Sequence, residues 1–265
     1  METQTQPNGK KQNQAVAQKA STAVSADVMQ FGAFGTENVI TQDLRFPKLL
    51  LMQALSEWVN DPLVNARGGE IRESYEKTLL GGANKPVQVI PFFNLNVWKI
   101  KKKINGKFET VGYEDRTNTE ARMDREFKHP DGADGLREKT LNLFCLIKGG
   151  NMQVPYLVGF TNYSFKHAAQ SYLNKLQLLK AEKKSPAHVV WNLGVTTEKN
   201  DKGTFFVFTL DTAKTEDGKD IPNSYEEVKA AYEQYSTLSK SIQEGAKVDI
   251  SDTNEDTVDA KPDNF

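Results

Sequence analysis

The pattern of apolar and polar positions changes near Leu44. Before it, Gln, Asn, Ala, Ser and Lys predominate and large apolar residues are sparse. Such a stretch buries too little to offset the entropy of ordering, so residues 1–35 read as a flexible, slightly basic arm. After it, recognisable periods begin. "RFPKLLLMQ" predicts a buried strand opened by Pro47. "GGEIRESYEKTLLGG" predicts a hairpin between two glycine pairs, with Tyr75 near its middle. "KPVQVIPFFNLNVWKIKKK" predicts one long bent strand. Val87, Val89 and Val97 mark one parity; Ile90, Phe92, Trp98 and Ile100 mark the other. Pro91 has no N–H to give a ladder, so a bulge or a change of sheet is expected there.

Residues 104–140 are polar and read as a long excursion holding a small hairpin, "KFETVGYED". "LNLFCLIKGGNMQVPYLVGFT" predicts a hairpin turning at Gly149, Gly150 and Asn151. "YSFKHAAQSYLNKLQLLKAEKK" predicts a helix whose apolar face is Phe165, Ala168, Ala169, Tyr172, Leu176 and Leu179. "HVVWNLGVTTEKNDKGTFFVFTLD" predicts a hairpin turning between Asn200 and Gly203. "NSYEEVKAAYEQYSTLSKSIQEG" predicts a last helix, with Ser224 and Glu227 as a capping box and Gly245 as the stop. Its stripe reads Tyr225, Val228, Tyr232, Tyr235, Leu238 and Ile242. The expected fold class is α+β, mostly β. The element order is that of an OB-type five-stranded Greek-key barrel with insertions, with a helix between strands three and four and an additional C-terminal helix. The expected organisation is an arm over 1–35, an OB-type domain over 36–245 and a disordered acidic tail over 246–265.

Charge divides the 265 residues unevenly. From Asp249 onward there are six acids and one base, which leaves 33 bases and 29 acids in residues 1–248. A mildly basic body therefore carries an acidic tail that ends on an aromatic ring. Several chemistries find no support. There is no P-loop signature. His129, His167 and His188 are widely separated and Cys145 is the sole cysteine, so no zinc ligand set or disulfide framework emerges. Cys145 reads as a core residue. No apolar h-region opens the chain and no run spans a bilayer, which fits a cytoplasmic protein without cofactors. Asp124, Glu126, Asp131 and Asp134 in "DREFKHPDGADG" are the acids that tempt a Mg²⁺ nuclease reading, but Arg122, Arg125 and Lys128 interrupt them.

Positive charge beside aromatic rings is the recurrent theme. Lys99, Lys101, Lys102, Lys103 and Lys107 follow Trp98 without an intervening acid. Alternation puts Lys99, Lys101 and Lys103 on one strand face, with Phe93 on the same parity. Phe108, Tyr113, Arg116, Arg122, Arg125 and Lys128 come next. Tyr75, between Arg72 and Lys77, has no apolar neighbours and is expected to be exposed. Phe92, Phe144, Phe206 and Phe208 are expected in the core. Cations neutralise phosphates and rings stack on bases, which is the combination a single strand needs.

The acidic stretch "DTVDAKPDNF" resembles the Phe-terminated tip of single-stranded DNA-binding proteins. "FPKLLLMQ", "VQVIPFFNLNVWK", "VPYLVGFTNYSFKHAAQSYLNKL" and "KNDKGTFFVFTLD" are similar to phage-encoded single-stranded DNA-binding proteins, most closely those of the enquatrovirus group. The resemblance runs from about Leu44 to Phe265. It implies an OB fold, cooperative single-strand binding and roles in replication and recombination. It also implies contact with host RNA polymerase in late transcription. Asp256, Asp259, Asp263 and Phe265 would be the partner-binding tail. The chain lacks the long Gly/Pro/Gln linker of the bacterial form, so a bacterial-style tetramer is not expected. Two readings compete with a non-catalytic single-strand binder: a Mg²⁺-dependent nuclease or resolvase, and an adaptor whose tail recruits a polymerase without touching DNA.

Overall fold

The computed structural model describes residues 45–116, 124–201, 203–243 and 248–250, all within the unit Thr41–Phe265. The expected N-terminal arm, Arg122, the Gly245 stop and the tail residues Asp256, Asp259, Asp263 and Phe265 lie outside them. The fold is α+β, with two antiparallel sheets and a C-terminal helix. The smaller sheet runs β1 (Leu49–Leu51), β2 (Glu70–Glu73), β3 (Leu79–Gly82), with α1 (Glu57–Asn60) in the first connection. The larger has seven strands: β4 (Val87–Ile104), β5 (Lys107–Asp115), β6 (Glu126–Lys128), β7 (Asp134–Ile147), β8 (Tyr156–Thr161), β9 (Trp191–Asn200) and β10 (Gly203–Thr212). Its order is β10-β9-β4-β7-β6, with β5 added to β4 and β8 to β7. Between β8 and β9 lie α2 (Asn162–Ser164), a π-helical turn (Phe165–Ala169) and α3 (Gln170–Ala181). The last helix is α4 (Tyr225–Gln243).

Among the described residues the strands do not close into a barrel, since β8 and β10 do not pair with each other. The segment around β1 touches both. Lys48 bridges Leu157 of β8 in parallel. The Gln53 side chain donates to the Phe206 carbonyl at 2.8 Å and accepts its N–H at 3.0 Å.

β4 is the spine. Val87 to Val89 pair with β9, Val89 to Lys102 with β7, and Val97 to Ile104 with β5. The expected bulge is present: the β4–β7 register slips between Pro91 and Phe93. One extra residue flips every following side chain to the other face. Ile90 and Phe92 belong to one core with Phe144 and Leu146, and after the slip Phe93 and Leu95 pack against it. Val89 belongs to the other core with Leu141, Leu143 and Cys145. Across the ladder, Asn94 faces Leu143, Asn96 faces Leu141 and Trp98 faces Lys139. Trp98 therefore shares the face of Val89, not that of Ile90 as uninterrupted alternation predicts.

The helix after β8 buries Phe165, Ala168, Ala169, Tyr172 and Leu179 of the predicted face, with Leu176 partly buried beside them. Tyr172 lies 5.0 Å from the Trp191 ring, whose Nε1 donates to the Pro186 carbonyl at 3.0 Å. Burying a ring of that size contributes roughly 4–6 kcal/mol at the usual area coefficient. The capping box of α4 forms: the Ser224 N–H donates to Glu227 at 2.8 Å and the Glu227 N–H to Ser224 Oγ at 3.3 Å. Its stripe differs from the reading. Tyr225 and Tyr232 are 77% and 66% exposed, and Ala231 and Leu238 are the buried residues. The small side chain of Ala231 lets the helix approach the sheet, and the tyrosines tolerate water through their hydroxyls.

Residues 104–140 also differ from the expected excursion. "KFETVGYED" is not a hairpin of its own but the strand β5, paired with β4 through the turn Asn105–Gly106. Both turn residues have positive φ (51° and 82°), the type I′ geometry that twists with its strands. β7 begins at Asp134, so most of the supposed loop is sheet.

Candidate nucleic-acid interface

Beyond Val97, the strands β4, β5 and β7 carry two faces of different chemistry. On one, the Trp98 ring has the Arg116 guanidinium 4.9 Å from its centroid and the Lys139 ammonium at 6.0 Å. Trp98 is opposite Lys139 and Glu114 in the ladder, so these side chains must share a face. Arg116 also lies 5.6 Å from the Phe165 ring. Burial lowers the affinity of the Arg116 guanidinium for its proton. Next along β7, Arg137 is stacked 3.9 Å over Phe127. The same ring lies across Gly135, where a Cβ would meet it at 2.5 Å; only glycine fits. Phe127 in turn stands 4.6 Å from His129. Cations held over ring faces are the pairing that reads a phosphate and a base together.

The other face carries the predicted lysine row. Lys99 is 5% exposed and opposite Glu138 in the ladder. Lys101 donates to Glu138 at 3.0 Å, and Glu138 is itself buried. Lys103 is 3.7 Å from Asp134. Phe93, on the same face, packs 5.8 Å from Phe144 and 6.1 Å from Tyr235 of α4. Lys101 meets the buried Glu138, whereas Lys103 and Asp134 meet at the surface, so only part of the row is turned inward.

The hairpin residues are equally divided. Tyr75 is 58% exposed in the β2–β3 turn, its hydroxyl donating to the Arg45 carbonyl at 2.8 Å. Arg72 is buried, paired with Glu70 at 2.8 Å and donating to the Lys77 carbonyl at 2.8 Å. Lys77 sits 5.2 Å over the Trp58 ring and 3.7 Å from Asp61. Tyr75 is thus the one of the three that faces outward.

Lys107 and Phe108 are exposed at the β4–β5 turn, Tyr113 is half-buried opposite Lys99, and Arg125 and Lys128 are exposed around β6. Two of the four acids that suggest a metal, Asp131 and Asp134, are held by lysines. Lys102 pairs with Asp131, and Lys128 and Lys103 with Asp134. The hydrogen bond from Lys102 holds the Asp131 carboxyl below its usual range, and that from Lys128 does the same for Asp134. Among the described residues no group of three His, Cys, Asp or Glu side chains is placed to hold a metal. Cys145 is fully buried, which pushes its thiol up to about 12. Phe92, Phe144 and Phe208 are buried as expected and Phe206 is half-buried.

Residues 12–247 match the family model of the Pam3 phage gp34-like protein. The chain belongs to that phage protein family. No curated protein matches it, and no solved structure does. The span that defines membership in the Pam3 phage gp34-like family takes in both faces of β4 and stops short of Asp256, Asp259, Asp263 and Phe265. Among the described residues no helix is long and apolar enough to cross a membrane. Four residues of the Trp98 face were not singled out from sequence as interface: Phe127, Arg137, Lys139 and Phe165. The alternation Arg137-x-Lys139 at the start of β7 is the signal that points to two of them. The contacts of Phe127 and Phe165 are made only by tertiary packing.

Proposed function

We propose that this phage protein binds single-stranded DNA with little sequence preference, in support of phage DNA replication and recombination. The observation that carries the reading is the Trp98 face, where one half-buried ring has two cations, Arg116 and Lys139, at 4.9 and 6.0 Å from its centroid. Stacking is tolerant of sequence because every base has a π face, and each cation adds a phosphate contact. We assign the OB architecture on the same footing. An OB barrel pairs strand one with two and four, two with three, and four with five. β4, β7, β8, β9 and β10 pair in those four ways, and the helix falls between the third and fourth. The segment from Lys48 to Gln53 stands where strands three and five would meet. The acidic stretch with Asp256, Asp259, Asp263 and Phe265 is the part assigned to protein partners, replication and recombination proteins and host RNA polymerase among them.

The test is a fluorescence titration with poly(dT) at several salt concentrations, without Mg²⁺. Tight binding with a log–log slope of roughly −0.7 per phosphate contacted is expected, and weaker binding to duplex. Equal affinity for duplex at about 150 mM salt would sink the reading.

A further inference from the structure

We propose that Arg116 is a plug, and that a nucleobase of the bound strand takes its place between Trp98 and Phe165. The inference rests on the single-strand reading and specifies a base-binding slot within it. The two walls are fixed: Trp98 by the ladder of β4, and Phe165 by its burial at the start of the π-helical turn. Between them lies a flat guanidinium, 4.9 Å from one ring centroid and 5.6 Å from the other. A guanidinium and a base present the same planar outline to a ring. The difference is charge. Arg116 is half-buried and loses hydration of a full charge there, whereas an uncharged base loses less. Its side chain is long enough to swing toward a phosphate when the base enters, so the cation is kept and only its position changes.

Asn96 gives the slot a polar edge. It lies two residues before Trp98, hence on the same face, and its carbonyl accepts the Arg116 N–H at 3.1 Å. Its side-chain oxygen is buried and has no donor among the described residues. An acceptor in that position suits a base with an exocyclic amino group, cytosine or adenine, better than thymine. Lys139, opposite Trp98 in the ladder, stands at the mouth for the adjoining phosphate.

The experiment uses the full chain, with DNA binding followed by oligonucleotide anisotropy and stacking by tryptophan emission. Arg116→Ala should lower the salt slope by about 0.7, one phosphate contact, and raise affinity several-fold when extrapolated to about 1 M salt. Arg116→Lys keeps the charge but cannot lie flat, so it should raise the high-salt affinity with the slope kept; it also covers the case in which the alanine variant fails to fold. Trp98→Phe should remove most of the DNA-induced quenching. Oligo(dC) should bind at least about 5-fold more tightly than oligo(dT), and Asn96→Ala should erase that preference. Quenching that survives Trp98→Phe, or a fall in high-salt affinity in both Arg116 variants, would overturn the plug while leaving single-strand binding intact. Absence of anisotropy change with wild-type protein would instead defeat the single-strand reading and the plug with it.

Discussion

The two faces of β4 beyond Val97 carry similar numbers of cations and differ in what those cations touch. On the Lys99–Lys101–Lys103 face, ammonium groups meet Glu138 and Asp134. On the Trp98 face, Arg116 and Lys139 lie over the Trp98 ring, and Arg137 lies over Phe127 and 3.7 Å from Glu114. A carboxylate consumes the charge it pairs with. A ring does not neutralise the cation over it, and exposed Lys139 keeps its charge at the surface. Density of lysine along a strand therefore says little about an interface; the carboxylates and rings that the register brings within reach decide it.

The largest effect is expected where the cation is most fully engaged. Lys101→Ala leaves Glu138 buried, and unfolding free energy should fall by about 3 kcal/mol, measured by urea denaturation. The salt slope of DNA binding should not change. A stable variant with a slope lowered by about 0.7 would reverse the assignment of the two faces. The double variant Arg137→Ala/Lys139→Ala is the counterpart. The slope should fall by about 1.4, two phosphate contacts. If the double variant keeps the wild-type slope, the Trp98 face does not meet phosphate.

Much of this arrangement is legible in the chain, and its failures are instructive. The hairpin turns at Gly149–Gly150 and Asn200–Gly203 and the buried face of the π-turn and α3 follow from local signals, and the structure has them. Asn105–Gly106 is an equally strong hairpin signal, yet the polar composition of 104–140 hides β5, which buries little, and the first half of β7, which buries polar residues such as Glu138 and Thr140. The bulge at Pro91 is readable from proline chemistry alone. Its consequence for parity is not, because a proline does not say whether the ladder slips by one residue or simply skips a bond. That single slip moves Trp98 to the face where Arg116 and Lys139 wait. Contacts such as Arg137 on Phe127, or Lys101 on Glu138, join residues brought together only by register. Nothing in the spacing of either partner announces them.

The engaged-cation pattern recurs at the far end of β7, where pH can sharpen the comparison. Lys148 donates to both oxygens of Glu227, at 2.6 and 2.7 Å, tying α4 to the sheet. Burial alone would raise the Glu227 carboxyl. Hydrogen bonds from Lys148 and the Ser224 N–H outweigh it and hold the carboxyl below its usual range. The sign follows: stability from this group is present above the unfolded glutamate value of about 4.3 and is lost as pH falls through the lower folded value. Urea midpoints should therefore drop for wild type below about pH 4 by more than for Glu227→Gln, with a difference of about 1 kcal/mol at neutral pH. Identical acid profiles for the two proteins would remove the pair from the stabilising set.

The smallest effect concerns Tyr75, which tests whether the interface extends beyond the Trp98 face. Ser74, its neighbour in the turn, donates its N–H to the Lys48 carbonyl, and Lys48 bridges Leu157 at the start of β8. Leu157 pairs with Phe144, whereas Lys139 lies five positions earlier on β7. At ~3.3 Å per residue, the tyrosine and the Trp98 face are separated by roughly 15–20 Å along the sheet. One strand of DNA can touch both only if it is long enough to cross that distance. Tyr75→Ala should accordingly weaken binding of a long oligo(dT) by about 1 kcal/mol and leave a trinucleotide unaffected. The side chain is exposed and its one hydrogen bond goes to a backbone carbonyl, so the thermal midpoint should move little. An equal loss for both lengths would put Tyr75 in the same subsite as Trp98, which the register of β7 and β8 does not permit. No loss for either would confine the interface to the ring-held cations.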